Sequence, residues 1–476
     1  MIEEKKRFLL FLKQQKGTVI AVTIFSLLAY GFKVFFYSNQ FDTVQMSVKY
    51  QNILEWWISI GRYALVITKR ILENGFFNIY FSNFLTLVLI IICPILWSYI
   101  LYKYTEKATG HSYWVFGILF VTTPIMAEQL SFSLQNWEVM LAYVLTALAV
   151  DLFFKGFFVQ KKNFYVLSAV LMGWIMGVYQ NFIAVFALGF LAVMLLQLEN
   201  FEDNKKIFKQ ILIFGLVCLG GLIIYEAGNK ITQGITGIEA SGYLGTNIKW
   251  FSQPVKESVY AIYMYIRELI FSNDSPYSSV IYGILFILFI LEAFWNRSKF
   301  VIWSILFRIG IVSAPFYFAF LFGNSVGLRV QTILPVTVAL TGWYLIEKVE
   351  RKKEILAVIC MAFIGIFSLR NAQIMCQAFY SDYCSYNNDV RLADEIRLSA
   401  GEAFPENSLE NLVFLNVCTP KETIPDNIFL ENIGTSIFGI TWLSDYDRQS
   451  RVTDFFNYLG YATKYWSWEE FSTFQT

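Results

Sequence analysis

Apolar residues in this chain come in long blocks rather than in short alternating runs. Eleven stretches carry few charges: approximately 17–37, 81–102, 113–127, 138–154, 164–179, 181–198, 209–226, 277–294, 300–321, 330–347 and 355–370. A hydrocarbon core ~30 Å thick is crossed by about 20 apolar helical residues, so each stretch is a candidate span. The shortest, 113–127, carries Pro124, and the pair 164–179 and 181–198 meets at a tight junction around Tyr179. Polar and mixed sequence gathers in three places, 38–80, 227–276 and 371–476. Within the last, NDVRLADEIRLS reads as an amphipathic helix and NLVFLNV, at 411–417, as a buried strand. The pattern predicts an all-α polytopic membrane protein of about 11 transmembrane helices over 1–370, followed by a small extracytoplasmic α/β domain over 371–476.

Basic residues orient the spans, because short cytoplasmic loops carry an excess of Lys and Arg. With the N-terminus inside, the inside loops hold 19 of them, among them Lys5, Lys6, Arg7, Lys107, Lys162, Arg297 and Lys353. The longer outside loops before the tail hold nine. The N-terminus is therefore predicted cytoplasmic and, with eleven spans, the C-terminal tail extracytoplasmic. No small-residue cleavage site follows the first apolar segment, which reads as a retained anchor. The three large polar stretches then all face outward. A transporter keeps its loops short and its polar groups at mid-membrane; an enzyme working at the outer surface places mass there.

Composition agrees with this reading and narrows it. Of 476 residues, 56% are hydrophobic, 18% aromatic and only 15% charged, and the mean hydropathy is +0.51. A soluble chain of this size could not bury that much apolar surface. Net charge is +1, and no basic run with interleaved aromatics suggests a nucleic-acid partner. One histidine, His111, and six scattered cysteines without a CxxC pair exclude multi-histidine chemistry and the usual metal sites. No cofactor is called for, and a divalent cation finds no support. Cys376, Cys384 and Cys418 lie in the tail and Cys93, Cys218 and Cys360 in spans; no disulfide is predicted.

The first outer loop carries candidate chemistry. In KYQNILEWWISIGRYALVITKRILE, residues 49–73, the apolar positions Ile53, Trp56, Trp57, Ile60, Ala64, Ile67 and Ile71 share one helical face. This predicts a helix lying flat at the membrane surface. Before it, Asp42 is the only acid between Glu4 and Glu55. Near a membrane-parallel helix its carboxylate could take a proton from an acceptor hydroxyl; a solvated loop Asp is the commoner fate.

Three stretches carry a resemblance: Asp42 followed by ISIGRYAL (58–65), TPIMAEQLSFSLQNWEVM (123–140) and GVYQNF (177–182). In their order and shared outer placement they resemble the Gtr-type bacterial glucosyltransferases, multi-span enzymes of the GT-C class. The resemblance implies transfer of a hexose, usually glucose, from a polyprenyl-phosphate donor to a cell-surface polysaccharide on the outer face of the bacterial cytoplasmic membrane. An outer-loop acid is the implied general base of a direct displacement. The family often shows two adjacent acids there; Phe41-Asp42-Thr43 offers one.

Such a donor asks for cations near the headgroup plane, a base, and polar and aromatic surface for the sugar. Arg329, after the loop GNSVGL, Arg62 on the flat helix and Lys249 beside Trp250 are the phosphate candidates; Lys33 and Lys256 are further cations in reach. Glu128, Gln135, Asn136, Tyr179 and Gln180 are the candidates for sugar and acceptor hydroxyls, with Glu128 also the second candidate base. Arg308 lies near mid-span and reads as structural, paired with Glu292. The tail either docks the acceptor or packs against the outer loops. The alternative functions are a flippase for a lipid-linked glycan, which needs charge networks on several spans, and a polysaccharide polymerase, which leans on several outer arginines.

Overall fold

The computed structural model describes residues 2–73, 75–105, 112–242, 245, 248–272, 275–295, 298–403, 412–415 and 433–474. His111, Lys107, Arg297 and Cys418 lie outside the described residues, as do 411 and 416–417 of the expected strand. The chain opens with α1 (Ile2–Gln14), α2 (Lys16–Phe35), α3 (Phe41–Val48), α4 (Tyr50–Ser59), α5 (Tyr63–Leu72) and α6 (Ile79–Tyr104). It continues with α7 (Tyr113–Thr122), α8 (Met126–Ser131), α9 (Asn136–Val159), α10 (Lys162–Val178), α11 (Phe182–Leu196) and α12 (Asn204–Thr236). Then come α13 (Val255–Phe271), α14 (Val280–Trp295), α15 (Val301–Ser313), α16 (Tyr317–Phe322), α17 (Leu334–Glu350) and α18 (Glu354–Ala403). The last two are α19 (Asp445–Tyr458) and α20 (Trp468–Ser472).

Every one of the eleven apolar stretches coincides with helix. Among the described residues six helices are long and apolar enough to cross a membrane: α2, α6, α9, α12, the run Val301–Phe322 and α18; α7, α10, α11 and α14 are shorter apolar helices. The chain is a membrane protein. Capping follows the sequence where it was legible. Asn78 accepts from Phe81 N at 3.0 Å to open α6, and Asp203 accepts from Lys206 N at 2.8 Å to open α12, satisfying amides that a first turn leaves orphaned. The core is one continuous cluster running from Val22 and Tyr30 on α2 through Phe120, Tyr143 and Phe186 to Trp343 and Phe379.

The tail departs from expectation. Among the described residues no strand forms, and 412–415 are extended without a ladder. The amphipathic segment NDVRLADEIRLS continues the last apolar stretch as α18, 50 residues in one helix. At 1.5 Å per residue it is about 75 Å long, more than twice a ~30 Å hydrocarbon core, so much of it stands beyond the bundle. Its far half meets α3 and α19 in a second small core of Phe41, Val44, Ala393, Ile437, Ile440, Val452, Phe455 and Phe456. The segment SDYDRQSRVTDFF, which shows only charge and turn character in sequence, is α19, opened by Ser444 accepting from Asp447 N at 3.1 Å.

Charges inside the bundle are paired across elements. Lys33 does not snorkel: it is buried, 3.0 Å from Asp382 of α18, with Ser38 Oγ 2.8 Å away. Arg308 pairs with Glu292 and donates to Tyr344 Oη at 2.9 Å. The five described cysteines are free thiols.

The Lys33–Asp382 pair generates a test. Removing one partner of a buried pair strands the other charge and costs about 3–5 kcal/mol, whereas replacing both with apolar groups is near neutral. Lys33→Met alone will lower the melting temperature of the detergent-purified protein, and adding Asp382→Leu will restore most of it. Equal melting temperatures for wild type and Lys33→Met would refute the pair's role in docking α18.

Candidate active site

The 49–73 segment is not one flat helix. It breaks at Gly61, and the break places the first cation of the site. The amide of Gly61 donates to Ile58 O at 3.1 Å and that of Arg62 to Trp57 O at 2.8 Å, the paired bonds of a Schellman helix end. Gly61 has φ +81° and its Cα hydrogen faces Tyr225, where a Cβ would come within 2.5 Å of the hydroxyl. Only glycine takes both the conformation and the closeness. After the break, α5 turns a different face inward: Leu65, Val66 and Lys69 are buried while Ile71 is exposed.

Around this break a cleft of about 450 Å³ opens. Its walls come from four parts of the chain. Asp42 and Gln45 stand on α3, Trp56, Trp57 and Arg62 on α4 and the break, Phe132, Leu134 and Gln135 on the loop before α9, and Arg329 on a 3-10 turn ahead of α17. A further wall is Arg451 of α19. Among the described residues three guanidinium groups and one carboxylate line the cleft, a formal surplus of two positive charges.

The carboxylate sits between two of the arginines. Asp42 Oδ1 lies 3.0 Å from Arg451 Nη1 and Asp42 Oδ2 lies 4.0 Å from Arg329 Nη1. Asp42 occupies the first turn of α3, where the helix dipole favours a negative group. Each arginine is held by an aromatic face: Arg329 over Phe132 at 4.9 Å, Arg62 over Tyr179 at 4.5 Å, Arg451 over Phe41 at 5.5 Å. Arg62 also donates to Gln135 Oε1 at 2.9 Å, and Arg451 to Gln45 Oε1 at 2.6 Å. Trp56 stays about half exposed and turns aromatic surface toward the cleft.

Asp42, Arg62, Arg329 and Gln135 are therefore brought together, although more than 280 residues separate the first from Arg329. The other candidates lie elsewhere. Tyr179 is buried beneath Arg62. Gln180 donates to Ile60 O at 3.0 Å and so braces the Gly61 break. Asn136 is buried among Tyr30, Asn83 and Ser82. Glu128 is fully buried and accepts from Tyr277 at 2.7 Å. Lys249 donates its backbone amide to Phe322 O at 2.7 Å, off the cleft wall.

Behind Trp57 lies a buried acidic pair with one cation. Lys69 is 2.6 Å from both Glu73 and Glu138, and its ammonium also faces Trp57 and Trp137. Burial pushes the Glu73 carboxyl above its usual range against the pull of Lys69. The counter-charge for Glu138 comes from Lys69 of α5, on the other side of α6 in the chain. Among the described residues no group of three or more His, Cys, Asp or Glu is placed to hold a metal ion.

Residues 28–369 match the family model described as Glucosyl transferase GtrII. The chain belongs to the GtrII glucosyltransferase family. It is a glycosyltransferase, and every cleft residue but Arg451, including Asp42, Arg62, Gln135 and Arg329, lies within the matched span. No curated protein and no solved structure matches the chain. Arg451, contributed from beyond the GtrII match, is the charged cleft residue that sequence reasoning missed, along with the neutral wall residues Gln45, Asn52, Phe132 and Leu134. The available signal was a helix start, Ser444 three residues ahead of Asp447, which places Arg448 and Arg451 one turn apart.

Two glycines separate conformation from contact. Gly61 and Gly75 both have positive φ, but a Cβ at Gly75 meets nothing within 4 Å. Gly75→Ala will cost about 1–2 kcal/mol of backbone strain and leave transfer activity within twofold. Gly61→Ala will cost more and reduce glucosyl transfer at least tenfold, because Arg62 shifts with the break. Equal behaviour of the two variants in melting and transfer would refute the role given to Gly61.

Proposed function

We propose that this glucosyltransferase moves glucose from a polyprenyl-phosphate donor to a cell-surface polysaccharide on the outer face of the cytoplasmic membrane, with Asp42 as the general base. The observation that carries the reading is the single carboxylate of the cleft standing between arginines, at 3.0 Å from Arg451 and 4.0 Å from Arg329. A cleft with surplus positive charge suits a lipid-linked phosphodiester, and its one carboxylate suits a proton acceptor. The donor lipid explains why such a site would be built on a bundle of apolar helices. In this reading the N-terminus is cytoplasmic and the cleft and the C-terminal segment are extracytoplasmic; residues 371–476, joined to the span region through the unbroken helix α18, contribute Arg451 to the cleft.

The step is a direct displacement. The acceptor hydroxyl oxygen attacks the anomeric carbon as its proton passes to Asp42. The bond from that carbon to the phosphate oxygen breaks, and its electron pair leaves on the polyprenyl phosphate. Arg329 and Arg62 stabilise the charge that builds there. Gln135 and the face of Trp56 receive the sugar. The family membership favours transfer over the flippase or polymerase alternatives, and no observation here favours those.

Asp42→Asn tests the base. In membranes given undecaprenyl-phosphate-linked labelled glucose and cell-envelope polysaccharide, the variant will transfer on the order of 10²- to 10⁴-fold more slowly at unchanged protein level. A loss below tenfold would move the base elsewhere. Absence of transfer by wild type across a panel of acceptors would end the donor assignment.

A further inference from the structure

Arg451 belongs to a helix outside the family-matched residues, yet it makes the shortest ion pair of the cleft. Its position does not depend on that pair alone. Gln45 accepts from the same guanidinium at 2.6 Å, and the ring of Phe41 lies under it at 5.5 Å. The helix is pinned on the same face by Lys49, 2.8 Å from the buried carboxylate of Asp454. Val452, Phe455 and Phe456 seat it in the second small core. The guanidinium would therefore stay at the cleft wall with Asp42 gone. It has five N–H donors, enough to keep Gln45 and accept a second anion. Both members of the pair retain access to the cleft, with side chains 20% and 24% exposed.

At 3.0 Å the Arg451 guanidinium takes up one of the acceptor positions on the Asp42 carboxylate that an incoming hydroxyl would use. Catalysis needs that grip loosened when the acceptor arrives, and a phosphate is the competitor that can loosen it. We propose that Arg451 is a switchable phosphate ligand: it holds Asp42 in the unloaded cleft, and the phosphodiester of a glycosyl lipid takes over the guanidinium and releases Asp42 to the acceptor hydroxyl. This rests on the lipid-phosphate donor reading above.

Charge balance supports the arrangement. Before transfer, the carboxylate and the phosphodiester each carry about one negative charge. During transfer the carboxylate gains the acceptor's proton and becomes neutral. The phosphate gains the electron pair of the broken carbon–oxygen bond and a second charge. The negative charge thus leaves one end of Arg451's reach and appears at the other, and total charge is unchanged. A guanidinium within reach of both ends favours that movement. The donor must also bind before the acceptor, since without it the base stays occupied.

The test reads phosphate binding, so that it does not depend on transfer. Undecaprenyl phosphate is titrated against the purified full chain as wild type, Asp42→Asn, Arg451→Gln and the double variant, with Arg451→Lys as the charge-keeping control. Detergent elution profiles and melting confirm that each is folded. We expect Arg451→Gln to weaken binding at least tenfold, Arg451→Lys less, and Asp42→Asn to tighten it at least fivefold. In the Arg451→Gln background, Asp42→Asn should change affinity by less than twofold. Additive effects, unchanged binding by Arg451→Gln, or no binding by wild type would each overturn the proposal; an arginine that merely held the helix in place would give no coupling. If the coupling is present and wild type transfers no glucose from the lipid, the phosphate switch stands and the donor sugar assignment falls. If wild type transfers glucose and the coupling is absent, the switch alone falls.

Discussion

A charge placed in an apolar bundle has to find its counter-charge on another element, and this requirement organises the protein. Transferring an unpaired ion from water costs more than a fold of marginal stability can absorb. Lys33 of α2 therefore meets Asp382 of α18, and Lys69 of α5 meets Glu73 and Glu138. Arg308 meets Glu292 and Tyr344. The Lys33–Asp382 and Lys69–Glu138 pairs each fix the rotation of one helix against a distant one, which apolar contacts alone leave loosely specified. The Lys33–Asp382 pair matters most for function. It ties the long helix to α2 near the point where α3 begins, and so decides where the second small core can form.

That second core is the reason a cleft exists. Phe41 and Val44 of α3 are buried against Val452, Phe455 and Phe456 of α19 and Ala393 of α18. Burying these faces leaves Asp42 and Gln45 turned toward the opposite wall, where the Gly61 break and the 3-10 turn at Arg329 stand. The same contact carries Arg451 to Asp42. The buried acidic triad behind Trp57 gives the other wall a rigid back. Its hydrogen bond from Trp137 to Glu73, at 3.4 Å, ties the start of α9 to the end of α5. Polar groups that face the cleft keep access to a ligand, whereas Gln180 and Asn136 are engaged by a backbone carbonyl and a buried network.

Much of the site was legible in the sequence because its parts announce themselves locally. Asp42 is isolated among uncharged neighbours, Arg62 follows a glycine inside a helical run, and Arg329 ends a glycine-rich loop. Other parts were illegible for stated reasons. The helical face over 49–73 is continuous in pattern, and the break at Gly61 comes from the close approach of Tyr225, 164 residues away. Glu138 looks uncompensated in its loop, since its partner Lys69 lies in another. Gln180 and Asn136 have the chemistry to bind a sugar, but the carbonyl of Ile60 and the hydroxyl of Tyr30 claim them. Composition cannot say which of two hydrogen-bonding demands a side chain will meet.

The sequence by itself determined that this is a helical membrane protein, where its apolar helical stretches lie, and which family it belongs to. These follow from local hydropathy, capping residues and short motifs, all of which act within a few turns of helix. Tertiary structure decided that the last apolar stretch and the amphipathic segment after it are one helix of 50 residues. It decided that the tail carries α19 to the cleft, and that Arg451 lies 3.0 Å from Asp42. Those outcomes depend on where charges separated by hundreds of residues find each other. Such pairing is a property of the packed chain, set by burial and geometry that no local pattern contains.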